Sequence, residues 1–213
     1  MTKNSYIIVT LAYWFFMLTD GALRMLVLLH FHALGFTPDK LAFLFLLYEC
    51  AGIATNLLGG WIGSRLGLKI TLYAGLALQI IALFTLTLFD PSWAIALSVS
   101  FVMLVQCLAG IAKDLTKMSS KSAVKLLVKE ENQGGLFKLV AILTGSKNAI
   151  KGIGFFLGGY LLANYGFNSA LHSLATLLII TLALSLLFVR GDYGKMKQKV
   201  KFTQLFSKSQ AIN

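Results

Sequence analysis

The sequence predicts an all-helical integral membrane protein with six transmembrane helices, and three observations support this prediction. The chain has 213 residues, of which 57% are hydrophobic and only 13% are charged, and its mean hydropathy is +0.78. Its apolar runs are long enough to cross ~30 Å of hydrocarbon as helices. The basic loops fall on one side of these runs, as the positive-inside rule predicts. Soluble domains rarely have this composition.

The apolar runs give the first three spans at about residues 6–34, 39–62 and 70–89. Span two opens with Thr37-Pro38-Asp39, which supplies an N-cap residue, a proline in the first turn and an acid near the helix start. A tight loop is expected between spans two and three, over residues 59–69.

The remaining spans are expected at about residues 93–112, 136–165 and 169–189. Asp90-Pro91-Ser92 predicts a turn before span four. The helical rhythm of span four continues beyond its apolar part, to about Val128. Span five is rich in glycine, which lets transmembrane helices approach closely.

The loop charges predict that both ends of the chain are cytoplasmic. We expect a six-span domain over residues 1–190 and a basic cytoplasmic tail over residues 191–213, which resembles the start of a linker to a second half. The net charge of +11 follows from this topology, so no nucleic-acid partner is expected. Cys50 and Cys107 lie in apolar segments and are interpreted as small hydrophobic residues.

Six lysines extend the helical pattern into the membrane region. Lys113, Lys117, Lys121 and Lys125 are each four residues apart, and so lie along one face of a helix. Lys147 and Lys151 repeat this spacing in span five, with Asn148 between them. A lysine in hydrocarbon costs roughly 2.5–3.5 kcal/mol, so such residues should face water or a counter-charge.

These positions predict a binding surface for an anionic solute. The residues expected to bind the solute are Arg24, Lys113, Lys117, Lys147, Asn148 and Lys151. Lysine and arginine both bind oxyanions, and arginine can do so with two parallel hydrogen bonds. The alternative for Lys113 to Lys125 is an amphipathic extension that touches lipid headgroups.

Three carboxylates fall among these cations and are candidates for proton coupling or for ion pairs: Asp20, Glu49 and Asp114. Asp20 and Arg24 are four residues apart and can pair on one helix face. Glu49 can carry a proton if burial raises its pKa, or can serve as a neutral hydrogen-bonding group.

Three short motifs resemble those of the major facilitator superfamily. The loop after span two matches the superfamily's signature at Gly60, Arg65, Gly67 and Lys69, with Ser64 in place of the usual aspartate. The segment 106–112 resembles its span-four motif without the arginine. Gly154-Phe155-Phe156-Leu157-Gly158-Gly159 resembles the span-five motif of exporters, with Phe155 in place of proline. The resemblance implies the amino-terminal half of a facilitator fold and alternating access.

A closer resemblance, over residues 19–27, 110–119 and 140–149, is to the organoarsenical efflux transporters called ArsJ. It implies export of 1-arseno-3-phosphoglycerate across the bacterial inner membrane, and hence arsenate resistance. It also implies a functional link to the glyceraldehyde-3-phosphate dehydrogenase that makes this ester. A second six-helix half, or a homodimer, is expected to complete the transporter.

The sequence does not predict an enzyme, because an enzyme needs a convergent nucleophile and base or a metal cluster. No cofactor and no metal site are expected. Two alternatives stay open. One is a facilitator for another organic phosphate or anion, and the other is a membrane subunit that does not transport.

Overall fold

The computed structural model describes residues 3–127 and 133–189, and this part of the chain is helical throughout apart from short turns. Its helices are, in order, α1 Lys3–Ala33, α2 Pro38–Leu44, α3 Leu46–Leu66, α4 Leu68–Leu86, α5 Ile95–Leu127 and α6 Gln133–Phe188. Within the described residues, five segments are long and apolar enough to cross a membrane, and the last of them, Phe137–Phe188, covers both the fifth and the sixth predicted span. The predicted all-helical membrane fold is therefore confirmed. The expected basic tail, 191–213, lies outside the described residues.

Helices α2 and α3 together form the second predicted span. Thr37 takes the N-cap position with extended backbone, and Pro38 begins the helix with Asp39 in its first turn. Pro at this position has no N–H to leave unsatisfied and has a suitable φ. The helix is interrupted once, at Phe45, which ends α2 and precedes α3.

The prediction of a loop over residues 59–69 is wrong, because the break between the two helices is much shorter. Helix α3 continues through the glycines to Leu66, and only Gly67 breaks the chain before α4. Gly67 has φ 82° and ψ 157°, a conformation that is open essentially to glycine alone. Gly59 and Gly63 face the Met118 side chain of α5. This packing contact against a neighbouring helix keeps a glycine-rich segment helical.

The turn predicted at Asp90 is confirmed. The backbone N–H of Ser92 donates to Asp90 Oδ1 over 2.8 Å. This hydrogen bond holds the pKa of the Asp90 carboxyl below its usual value, because it favours the charged form. Helix α5 then runs from Ile95 to Leu127, which confirms that span four continues well past its apolar part.

Helix α6 is two helical arms joined at Gly166, which has φ 76° and ψ 175°. We call 133–165 the first arm and 167–188 the second arm. Phe167 stacks on His30 near the end of α1. Phe188 instead lines a groove with Ile8 near the start of α1. The second arm therefore runs antiparallel to α1, and the chain reverses at Gly166 as expected.

The core is centred on α1, which packs chiefly against α6, while α5 packs against both α3 and α4. A Cβ added to Gly154 would overlap the carbonyl oxygen of Leu18, and one added to Gly158 would overlap that of Ala22. The first arm and α1 therefore touch backbone to backbone. This contact brings Lys151 of the first arm next to the middle of α1.

Candidate functional site

Asp20 of α1 is the buried anchor of a cluster of charged side chains. Its side chain is only 1% exposed. Oδ1 accepts a hydrogen bond from the Tyr48 hydroxyl over 2.6 Å, and Oδ2 lies 2.6 Å from Lys151 Nζ. The expected pairing of Asp20 with Arg24 is wrong. Each of the two has a closer partner on another helix.

Arg24 pairs with Glu49 of α3 instead. Arg24 Nη2 lies 2.5 Å from Glu49 Oε1, and Lys113 Nζ of α5 lies 3.6 Å from Glu49 Oε2. Glu49 is thus an ion-paired carboxylate that bridges two cations, each from a different helix. The neutral hydrogen-bonding role expected for it does not fit this geometry, and the burial on which its expected proton-carrying role was based is not observed, since Glu49 is 55% exposed.

The Tyr48 ring supports both of these cations. Arg24 Cζ lies 4.1 Å from the ring centroid, and Lys113 Nζ lies 4.2 Å from it. Each distance is suitable for a cation–π interaction. Tyr48 is itself fully buried and is fixed by its hydrogen bond to Asp20.

Asp114 is the third carboxylate of the cluster, and it lies on α5 beside the lysines. Lys117 Nζ is 2.8 Å from Asp114 Oδ1, and Lys113 Nζ is 3.8 Å from Oδ2. Asp114 is 4% exposed, so these lysines supply the counter-charge that a buried carboxylate needs.

Lys147 and Lys121 have no ion pair or hydrogen bond within the described residues. Lys147 is partly buried and is repelled by four other lysines, namely Lys113, Lys117, Lys121 and Lys151. The side chain of Lys125 is not among those that the structure describes.

We call the following set the charged cluster: Asp20, Arg24, Glu49, Lys113, Asp114, Lys117, Lys121, Lys147 and Lys151. It holds six cations and three carboxylates and so has a surplus of three positive charges, and among the described residues Lys121 and Lys147 are its cations without an ion pair. Asn148, which was expected to assist, is exposed and has no hydrogen bond within the described part.

Two glycines let α3 and α5 meet beside the charged cluster. A Cβ added to Gly52 would lie 2.7 Å from Asp114 Oδ2 and 3.3 Å from Lys113 Nζ. A Cβ added to Gly110 would overlap the Tyr48 carbonyl oxygen. Gly110 belongs to the span-four motif found in the sequence, and here its structural role is close helix packing.

The motif residues between α3 and α4 make local contacts. Gly60 lies in the last turns of α3 and Gly67 links the two helices. Arg65 lies over the Trp61 ring at 4.8 Å, and Lys69 lies over the Tyr73 ring at 5.8 Å. These residues do not join the charged cluster through any contact within the described chain.

Two tyrosines complete the site, and the sequence reasoning gave neither a role. Tyr48 precedes Glu49 directly, so an aromatic ring beside a carboxylate within a span was the available signal. Tyr13 lies seven residues before Asp20 and so shares its helix face. Its buried hydroxyl has no hydrogen-bond partner within the described residues, and it interacts electrostatically with Asp20 and Asp114.

The charged cluster has the donor groups that an anion would require. The described residues contain no group of three histidine, cysteine or carboxylate side chains that could hold a metal ion. The cations instead present N–H donors from α1, α5 and α6. Charged residues inside a membrane bundle typically mark a solute or ion pathway.

A multi-span helical bundle with charges inside it has the construction of a membrane transport protein. The sequence model of the Major Facilitator Superfamily matches residues 9–211. The chain therefore belongs to the Major Facilitator Superfamily, and it is a multi-pass membrane transporter of a small-molecule solute. No curated protein matches the chain.

Proposed function

We propose that this transporter carries an organic anion, with an oxyanion group held by the cations of the charged cluster. The observation that carries the proposal is the surplus of three positive charges, which includes the unpaired Lys147. Cations without counter-charges are costly inside a membrane protein. A solute that brings negative charge removes this cost when it binds.

The solute we propose is 1-arseno-3-phosphoglycerate, exported from the bacterial cytoplasm across the inner membrane. The support is the resemblance of residues 19–27, 110–119 and 140–149 to the ArsJ transporters, together with the charge of the cluster. This solute has an oxyanion at each end, which suits cations spread over three helices. A glyceraldehyde-3-phosphate dehydrogenase would supply it, and export would give arsenate resistance.

A second six-helix unit is proposed to close the site, either from another polypeptide or from a second copy. Glu49 is 55% exposed although it sits in the charged cluster, so the cluster is open on one side. Transport would then proceed by rocking of the two units about the bound solute. Asp20 and Asp114, which are both buried, are the carboxylates through which a proton could be coupled.

The test is arsenic retention in an arsenic-sensitive bacterium that expresses the chain together with the dehydrogenase. The chain is expressed with and without a matching second half. Lower retained arsenic only with the second half supports the proposal, and lower arsenic with the chain alone supports a homodimer. Lys147→Gln should abolish most of the effect, whereas Lys138→Gln, which changes an exposed lysine of the first arm, should not.

The closest alternative is a carrier for another organic phosphate, which the same surplus of cations would bind. Unchanged arsenic retention, combined with uptake or release of radiolabelled 3-phosphoglycerate by proteoliposomes, would favour this alternative. No transport of either solute, despite membrane expression, would favour a subunit that does not transport by itself.

A further inference from the structure

The bridge between Arg24, Glu49 and Lys113 has the form of an occupied oxyanion site. Glu49 Oε1 faces Arg24 Nη2 at 2.5 Å, and Glu49 Oε2 faces Lys113 Nζ at 3.6 Å. The two oxygens of one carboxylate therefore face two different cations. A carboxylate or phosphate group of a solute would place its oxygens in the same way.

Both cations also have a contact that does not involve Glu49. Both lie over the Tyr48 ring, at 4.1 Å for Arg24 and 4.2 Å for Lys113. Tyr48 is held by the buried Asp20, which is held in turn by Lys151. The ring therefore gives both cations a second contact, which does not require the Glu49 carboxylate.

Glu49 is the member of this bridge that can leave most readily. Its side chain is 55% exposed, against 26% for Arg24 and 17% for Lys113. The Glu49 carboxylate therefore has the most room to rotate away, whereas Arg24 and Lys113 also contact the Tyr48 ring. Arg24 Nε is buried and has no partner within the described residues, so the two-pronged face of the guanidinium is only partly used.

We propose that the Glu49 carboxylate is a built-in competitor that occupies a solute oxyanion subsite formed by Arg24 and Lys113. The ligand of this subsite is an organic anion with two acceptor oxygens on one centre, such as a phosphate, an arsenate ester or a carboxylate. When the anionic group of the solute replaces the Glu49 carboxylate, neither cation is left without an anionic partner. The inference rests on the proposed function and adds a subsite distinct from Lys147.

The test is Glu49→Gln, which keeps the shape of the side chain and removes its charge. The probe is 3-phosphoglycerate, and binding is measured by titration calorimetry on the protein in lipid nanodiscs. Without the competing carboxylate, the probe should bind about two- to fivefold more tightly, as expected for the loss of one partly exposed ion pair. Equal or weaker binding would overturn the proposal. If Glu49 were only a structural ion-pair partner, or contacted the solute directly, removing its charge would not increase the affinity for the probe.

Controls separate a local effect from a general change in charge. Asp90→Asn removes one carboxylate from the exposed turn between α4 and α5 and should leave the affinity unchanged. Glu49→Asp keeps the charge on a shorter side chain and should fall between wild type and Glu49→Gln. An equal gain in Asp90→Asn would also overturn the competitor role.

The outcome also distinguishes this inference from the proposed function. If Lys147→Gln weakens binding of the probe and Glu49→Gln does not strengthen it, the anion site stands and the competitor role fails. If neither wild type nor Glu49→Gln binds the probe, both fail.

Discussion

At the scale of single residues, the pair of Asp20 and Lys151 connects the two most tightly packed helices. Asp20 is almost fully buried, whereas Lys151 is 21% exposed. An isolated buried carboxylate is far more costly than a paired one, since its hydration is lost without replacement. Breaking the pair should therefore cost more free energy when it leaves the Asp20 carboxylate unpaired than when it leaves the Lys151 ammonium group unpaired.

Lys151→Met should lower the free energy of unfolding by about 3 kcal/mol, because it leaves Asp20 with only the Tyr48 hydroxyl. Adding Asp20→Asn should restore more than half of this loss, since the orphaned charge is then gone. Thermal unfolding followed by circular dichroism in detergent measures both. The matched control is Lys138→Met, at an exposed position of the same arm. An equal loss in the control would contradict this account.

The sequence predicted which residues are charged within the spans, but not how they pair. Periodicity places Lys113, Lys117 and Lys121 on one face because the helix itself fixes that face. Partners on other helices depend on how the helices pack, which periodicity does not contain. Asp20 and Arg24 were thus expected to pair with each other, whereas Lys151 and Glu49 reach them from neighbouring helices.

At the scale of elements, close approach of helices depends on a few glycines. Gly154→Ala should destabilise the protein by about 1–3 kcal/mol, because the new methyl group would overlap the Leu18 carbonyl oxygen. Gly152→Ala, two residues earlier, has open space and should be neutral or stabilise the helix by about 0.5–1 kcal/mol. Unfolding midpoints in an SDS titration measure both variants. Changes of the same sign would rule out the close contact as the cause.

The reversal at Gly166 depends on backbone conformation alone, because a Cβ there would meet no neighbouring atom within 4 Å. Gly166→Ala should cost about 1–3 kcal/mol, since its φ of 76° suits glycine only. Gly145→Ala, also in open space but within a helix, is the matched control. Midpoints of unfolding in SDS should fall for the first variant only. A fall in both variants would indicate instead that α6 does not tolerate alanine in place of these glycines.

The elements themselves were largely predictable from the sequence, because apolar runs and turn residues are local signals. The extent of α3 was not, since the contact of Gly59 with Met118 is made between helices. The interruption at Phe45 was also missed, because nothing in an apolar run of this kind indicates a break.

At the scale of the whole molecule, the predicted topology places both ends of the chain in the cytoplasm. In a variant with Cys50→Ser and Cys107→Ser, a cysteine at Ser92 should react with a membrane-impermeant maleimide on intact cells. A cysteine at Gly134 should react only after permeabilisation. Both positions are exposed, so access to reagent depends on the side of the membrane. The reverse pattern would invert the topology.

The charge surplus of the cluster also has an electrical consequence. Moving one elementary charge across a membrane potential of 100 mV changes the free energy by ~2.3 kcal/mol. A solute with several negative charges would bring the loaded protein close to neutrality, whereas the unloaded protein keeps its surplus. We therefore expect the return of the unloaded carrier, and not the loaded step, to respond to voltage. Proteoliposomes with an imposed potassium diffusion potential would show this as net transport that depends on voltage, alongside solute exchange that does not.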